Sequence, residues 1–311
     1  MTSEQVLAPP DRRRAYWHSA LTLAVLMGAG YLARRHWPVL ETGAVRLAGA
    51  DQGWLLVAAS AAAMTWLCSA LAQQGAVTAR LPPGRLVAAQ FAASAANHVL
   101  PAGLGASAVN LRFLMRCGMS AGRAATALAV KASAGGVVRG ALIAVLALSC
   151  PGVLRAPSLS GGGVAVVILV VGVAAVLLCS GRCRRVLAAV VADIRAVHAR
   201  PRRAAALWGG ALAFAVLHCA VLIAVTQAVA LPLSPAGVAL LYLAASSAAA
   251  LLPTPGGLGS LDAALALALT SAGTPASGAA SAVLGYRLLT MWLPLVPGLL
   301  VLGLLIRRKA L

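Results

Sequence analysis

Charge is what this sequence has least of. Only six of its 311 residues are acidic, and charged residues of both signs make up 10%. A domain facing water covers itself with about 25% charged residues, so a soluble catalytic domain does not fit this chain. The scarcity of carboxylates also leaves hydrolytic chemistry poorly supplied, with no acid pair at general acid–base spacing. The six cysteines, Cys68, Cys117, Cys150, Cys179, Cys183 and Cys219, contain no CxxC pair, and the five histidines form no HExxH. No metal site and no cofactor are therefore expected. There is no GxSxG. The stretch Gly103-Leu-Gly105-Ala-Ser-Ala108 matches GxGxxA, but no strand precedes it as a dinucleotide fold requires. Aromatic residues are 4% and do not interleave with the basic ones. The net charge of +19 is accordingly not read as a nucleic-acid surface, which needs a recognition motif beside its charge.

What the chain has in abundance is apolar sequence, at 61%. A bilayer's hydrocarbon core takes about 20 mostly apolar residues per helix. The runs here are continuous and rich in Ala and Leu, whereas barrel strands alternate over about 10 residues. The expected fold is all-α: one polytopic transmembrane domain over 1–311 with six to eight spans. Predicted spans are 15–33, 54–72, 124–149, 163–179, 205–229 and 282–306. A signal peptide is the competing reading of the first. That run follows Arg12, Arg13 and Arg14 and ends at Arg34 and Arg35 without a small-residue cleavage site, so an uncleaved span is preferred.

Two more apolar stretches are interrupted. The stretch 86–115 breaks at Leu100-Pro101-Ala102-Gly103-Leu104-Gly105, and 235–270 breaks at Leu252-Pro253-Thr254-Pro255-Gly256-Gly257-Leu258-Gly259. Proline removes a backbone donor and glycine weakens a helix, so each stretch is expected to form two half-helices around an unwound elbow. In lipid such an elbow survives only where protein or a wet cavity satisfies its backbone. Both stretches continue into a Gly-rich turn and a long span, and Gly105 and Gly259 lie 154 positions apart. The expectation is an inverted repeat, 86–149 and 235–306, with two re-entrant hairpins, as in many transporters. The plainer reading is that Gly and Pro are simply frequent in membrane helices.

Lys and Arg report the topology. With both termini cytoplasmic in a plasma-membrane protein, 18 fall in inside segments, four outside (Arg34, Arg35, Arg46, Arg155) and three within spans. The segment 180–204 carries seven arginines around helically spaced Val186, Leu187, Val190, Val191, Ile194 and Val197. An amphipathic helix on the inner leaflet and a plain positive-inside loop both fit it.

Lys131, Arg139 and Arg287 lie inside spans, where a charge costs roughly 2.5–3.5 kcal/mol on insertion scales and usually faces a cavity. Lys131 and Arg139 are eight apart, nearly on one helix face and about 12 Å apart along it. Arg139 also sits within Gly136-Val-Val-Arg-Gly140, a GxxxG expected to admit another backbone. Lys131 and Arg287 have snorkelling to the interface as the plainer reading. The half-helices after the elbows start with unpaired N–H groups at the positive end of a dipole, an anion site. Ser107 follows the first elbow, and Ser260 and Asp262 the second, where Asp262 has simple helix capping as the plainer role. Asn97, Asn110 and Arg112 bracket the first elbow. The expected pathway therefore comprises these residues with Pro101, Gly103, Gly105, Pro253, Pro255, Gly256, Gly257 and Gly259.

Several of these residues carry a resemblance. Asn97-His-Val-Leu-Pro101, Arg112-Phe-Leu-Met-Arg-Cys-Gly118, the run from Leu252 to Gly259 with its following acid, Tyr286-Arg287 and Trp292-Leu-Pro294 together resemble the transmembrane, flippase-like domain of lysylphosphatidylglycerol synthases and their stand-alone relatives. The resemblance implies a domain that moves lipids or lipid-linked head groups between leaflets, without the aminoacyl-transferase half of the bifunctional members. Many relatives have Gly-Glu where this chain has Gly105-Ala106, and often Glu where it has Asp262. The leading expectation is a non-enzymatic, flippase-like protein whose partner is an anionic membrane lipid. The alternatives are a membrane partner for a separate lipid-modifying or glycosyl-transfer enzyme, and a small-solute transporter.

Overall fold

The computed structural model describes residues 37–99, 104–149, 195, 198–250, 259–308 and 311. Among them every regular element is helical. In chain order these are α1 (Trp37–Ala48), α2 (Gln52–Gly75), α3 (Pro83–Val99), α4 (Leu104–Arg116), α5 (Ala121–Ser149), α6 (Pro201–Ala228), α7 (Pro235–Ala250), α8 (Ser260–Ser271) and α9 (Ala276–Arg287). A π-helical turn, Leu288–Trp292, joins α9 to α10 (Leu293–Arg307). By length and composition α2, α5, α6 and the continuous stretch Ala276–Arg307 are long and apolar enough to cross a membrane. The predicted spans 15–33 and 163–179, and most of the 180–204 helix, lie outside the described residues.

Local chemistry sets the helix ends. Asp51 opens α2, its Oδ1 accepting from the Trp54 N–H at 2.9 Å, which supplies one of the donors a helix start leaves unpaired. Pro83, Pro201 and Pro235 each occupy a first helical position, where a missing N–H costs nothing. The ends of α4 and α8 are built alike. Gly118 (φ +87°) and Gly273 (φ +90°) take the left-handed conformation that closes a helix. The next N–H then reaches back in both: Met119 to the Leu114 carbonyl and Thr274 to the Leu269 carbonyl, each at 3.2 Å.

The centre of the fold is the antiparallel pair α2–α6. At one end the Asp51 N–H bonds the Ala228 carbonyl at 3.0 Å. At the other, Arg203 Nη1 donates to the Gln74 carbonyl at 2.7 Å. Two glycines let the backbones touch: a Cβ on Gly75 would stand 2.3 Å from the Leu207 nitrogen, and one on Gly210 would stand 2.6 Å from the Ala72 nitrogen. Helices in lipid gain no hydrophobic energy by associating, so close backbone packing of small residues is what joins them.

Around this pair the elements recur. α2 to α5 are followed by α6 to α10 in a similar order of long and short helices, and α2 and α6 run in opposite directions. α3 packs on α4, and α7 on α8. At about 26 and 20 Å for the first pair and 24 and 18 Å for the second, these helices are shorter than α2 or α6. Gly105 seats the first pair, because its Cβ would come within 2.0 Å of the Ala96 carbonyl.

Three features differ from the sequence reading. α1 occupies a stretch read as a loop and packs on α9, where a Cβ on Gly43 would stand 3.2 Å from both Ala280 Cβ and the Ser281 nitrogen. The last long helix begins at Ala276, earlier than the 282 expected. Gly136 and Gly140 meet no described neighbour within 4 Å, so no described backbone uses that GxxxG.

Adjacent glycines in α6 supply a test of the central contact. Nothing lies within 4 Å of a Cβ on Gly209, whereas Gly210 is pressed against α2. Gly210→Ala is expected to destabilise the detergent-solubilised protein by about 1–3 kcal/mol through overpacking. Gly209→Ala is expected to be neutral or stabilising by up to about 1 kcal/mol, from helix propensity. Thermal unfolding of the two variants side by side reads the difference.

A polar cavity between the two helix hairpins

The described helices enclose a cavity of about 390 Å³, bounded by residues of α2 to α9 and the π-turn. Its walls are largely apolar, and two clusters of polar side chains lie along them, one from α2 to α5 and one from α6 to α9.

In the first copy the centre is Lys131 on α5. Its Nζ donates to Ser69 Oγ on α2 and to Gln90 Oε1 on α3, both at 2.9 Å. Ser69 itself donates to Gln90 Oε1 at 2.9 Å. Gln90 Nε2 passes the chain on to Asn110 Oδ1 on α4 at 2.6 Å, and Asn110 Nδ2 ends it on the Ala106 carbonyl at 2.8 Å. The ammonium thus joins α5 to α2 and α3, Gln90 extends the chain to α4, and the charge is shared between two oxygen acceptors. A cation in lipid is tolerated on such terms.

The second copy repeats the plan with different residues. Arg287, at the end of α9 and 5% exposed, is ion-paired through Nε to Asp262 Oδ1 on α8. The other oxygen of Asp262 accepts the Gly259 N–H at 2.9 Å. One carboxylate therefore both starts α8 and holds α9. Beside it, His218 Nδ1 on α6 lies 3.0 Å from the Tyr286 hydroxyl, which donates to the Tyr242 hydroxyl on α7 at 3.0 Å.

Arg139 stands apart from both clusters. It is half-buried on α5 and lines the same cavity. Among the described residues it has no hydrogen-bond or ion-pair partner. On the first elbow's side, His98 Nδ1 is buried on the cavity wall and has no hydrogen-bond partner among the described residues.

The structure brings together five of the residues singled out from sequence: Asn97, Asn110, Lys131, Arg139 and Arg287 all line the cavity. Asp262 reaches it only through Arg287. Gly105 is buried in the α3–α4 contact, and Ser107 and Arg112 are exposed away from the lining. Gly259 shapes the start of α8 with φ +79°, and Ser260 is buried there. Pro101, Gly103, Pro253, Pro255, Gly256 and Gly257 lie outside the described residues. Asn97, His98 and Ala106, which flank the first break, and Leu261, which follows the second, all line this cavity. Sequence reasoning missed Ser69, Gln90, His218 and Tyr242. Each is a single polar residue in an apolar run, a signal visible in the sequence once the cavity-facing side of the helix is known. Among the described residues no group of His, Cys, Asp and Glu is placed to hold a metal.

Among the described residues an all-helical architecture with four stretches long and apolar enough to cross a bilayer defines a polytopic membrane protein. The chain belongs to the family of the lysylphosphatidylglycerol synthase TM region, which matches residues 20–298. No curated protein matches the chain. The family places it among membrane proteins related to lipid handling.

The Asp262–Arg287 pair should behave as a unit. Removing one partner of a buried pair leaves an uncompensated charge, which typically costs 3–5 kcal/mol. Asp262 is about a third exposed while Arg287 is nearly buried, so Arg287→Gln, which leaves a carboxylate that solvent can reach, is expected to cost less than Asp262→Asn, which takes the carboxylate from a buried guanidinium. A double-mutant cycle on thermal unfolding should show coupling of about 1–3 kcal/mol; additive single effects would deny the pair a structural role.

Proposed function

We propose that this protein moves a lipid with an anionic head group between the leaflets of the plasma membrane, with both chain termini cytoplasmic. The observation that carries the reading is Arg139, the cavity-lining cation without a hydrogen-bond or ion-pair partner among the described residues. Lys131 and Arg287 have their charge offset by protein groups. Arg139 leaves roughly 2.5–3.5 kcal/mol of insertion cost to be offset by whatever enters. A phosphodiester is the anion that a lipid brings to this depth, and a guanidinium offers it a planar, bidentate fork. A cavity of about 390 Å³ lies in the size range of small-ligand sites and suits a head group better than a whole lipid. The short hairpins α3–α4 and α7–α8 are read as re-entrant, entering from opposite faces. Their elbows then bring the positive ends of α4 and α8 to mid-depth.

Purified protein in vesicles holding leaflet-labelled phosphatidylglycerol tests this. A charge-assisted hydrogen bond is worth about 1.5–3 kcal/mol, so Arg139→Gln should slow translocation on the order of 10–100-fold. Wild-type vesicles that move no lipid class faster than empty ones would remove the reading.

A second reading has one observation in its favour. Arg80, Arg85, Arg116, Arg123, Arg203 and Arg307 all lie at helix ends or turns gathered at the Gln74–Thr78 end of the fold, where Arg203 also bonds the Thr78 carbonyl at 3.3 Å. Such a basic face fits a surface for a separate lipid-modifying enzyme. On that reading charge reversal at Arg184 and Arg185 harms function more than Arg139→Gln does.

A further inference from the structure

A second, smaller hollow adjoins the polar cavity. It has a volume of about 310 Å³ and is walled by Ala59, Ala62, Ala63 and Trp66 of α2, Phe91 of α3, Leu289 of the π-turn, and Leu293, Pro294 and Pro297 of α10. No side chain in it is charged. Ala62 and Trp66 also line the polar cavity, so the two spaces share a wall. Trp66 is held there edge-on to Phe91, with ring centroids 4.5 Å apart.

The groove follows from the helix chemistry. Ala59, Ala62, Ala63 and Trp66 fall at i, i+3, i+4 and i+7, one face of α2, and three of the four are small. Opposite them the π-turn follows directly after Arg287. Pro294 and Pro297 withhold two backbone N–H groups from α10, and Gly298 lets α10 close on Ala95 of α3 at a would-be Cβ distance of 2.6 Å. α10 is thereby clamped to α3 at one level, while the alanines of α2 leave space beside it.

The geometry points to this groove as the seat of one acyl chain of the lipid whose head group occupies the polar cavity. This rests on the head-group reading above and deepens it: the ligand is a lipid recognised in two parts, not a free phosphate ester. The occupant follows from continuity. A head group beside Arg139 must have its hydrocarbon leave the cavity somewhere, and directly across the shared Ala62–Trp66 wall lies a hollow whose described lining is wholly apolar. In the bilayer a chain there gains little over its place among other lipid tails. The groove therefore serves to let the head group reach mid-depth without exposing its tail to the wet cavity. Away from the bilayer the same contact becomes measurable, because each buried methylene is worth about fourfold in affinity.

The test compares two probes on the full chain held in amphipol: dihexanoyl-phosphatidylglycerol, and glycerol phosphate as a head group without chains. The wild type is expected to bind the chain-bearing probe at least about tenfold more tightly. Ala63→Trp fills the groove from α2 and should bring the two affinities within about twofold, leaving glycerol phosphate binding as it was. Ala59→Phe fills the same groove one turn away and should act alike, which separates filling from misfolding. Equal wild-type affinity for the two probes would overturn the groove while leaving the head-group site standing. A chain preference that survives both fillings would do the same. Arg139→Gln should weaken both probes together. Binding of neither probe by the wild type would overturn the head-group reading and this one with it.

Discussion

The antiparallel contact of α2 with α6 is the constraint on which the rest of this structure depends. In lipid no hydrophobic force presses helices together, so a lasting contact has to come from backbone surfaces that fit. Gly75 and Gly210 supply it by bringing main chain against main chain. Ala58, Ala61 and Ala62 of α2 then share a buried core with Cys219, Leu222 and Val225 of α6. With these two helices locked head to tail, each copy's hairpin and long helix can approach the same space only from opposite ends. The polar chamber follows from that placement.

Charge inside the chamber is held unevenly. Lys131 is spread over Ser69 and Gln90, and Arg287 is set against Asp262. Both act as fasteners, each joining a long helix to its own hairpin. Arg139 fastens nothing among the described residues. In a medium that penalises bare charge, the contrast among these three cavity-lining cations is what motivates the proposal that Arg139 meets a ligand.

Much of this was legible in the sequence, and the rest was not for identifiable reasons. Gly118 and Gly273 marked the turns that close α4 and α8, whereas most of the Pro- and Gly-rich breaks expected at 100–105 and 252–259 lie outside the described residues. Lys131, Arg139 and Arg287 stood out because charge in an apolar run is rare. Gln90 and His218 did not. Each is a lone polar residue whose partner lies far away, with Gln90 bonding Lys131 across 41 positions and His218 meeting Tyr286 across 68. Gly105 was read as part of an elbow because composition cannot distinguish a glycine that bends a chain from one that admits a neighbour. The π-turn leaves no mark on hydropathy at all. α1 was missed because twelve residues with Glu41 and Arg46 among them look like a loop between spans.

The division of the polar groups has a mechanical consequence. Ser69, Gln90, Asn110 and Lys131 bond among α2 to α5, while His218, Tyr242 and Tyr286 bond among α6, α7 and α9. None of these side chains bonds to a member of the opposite set. Each half is thus stitched from within by its own polar groups, and what joins the halves is the close α2–α6 backbone contact at Gly75 and Gly210 with its end ties, Asp51 to Ala228 at one rim and Arg203 to Gln74 at the other.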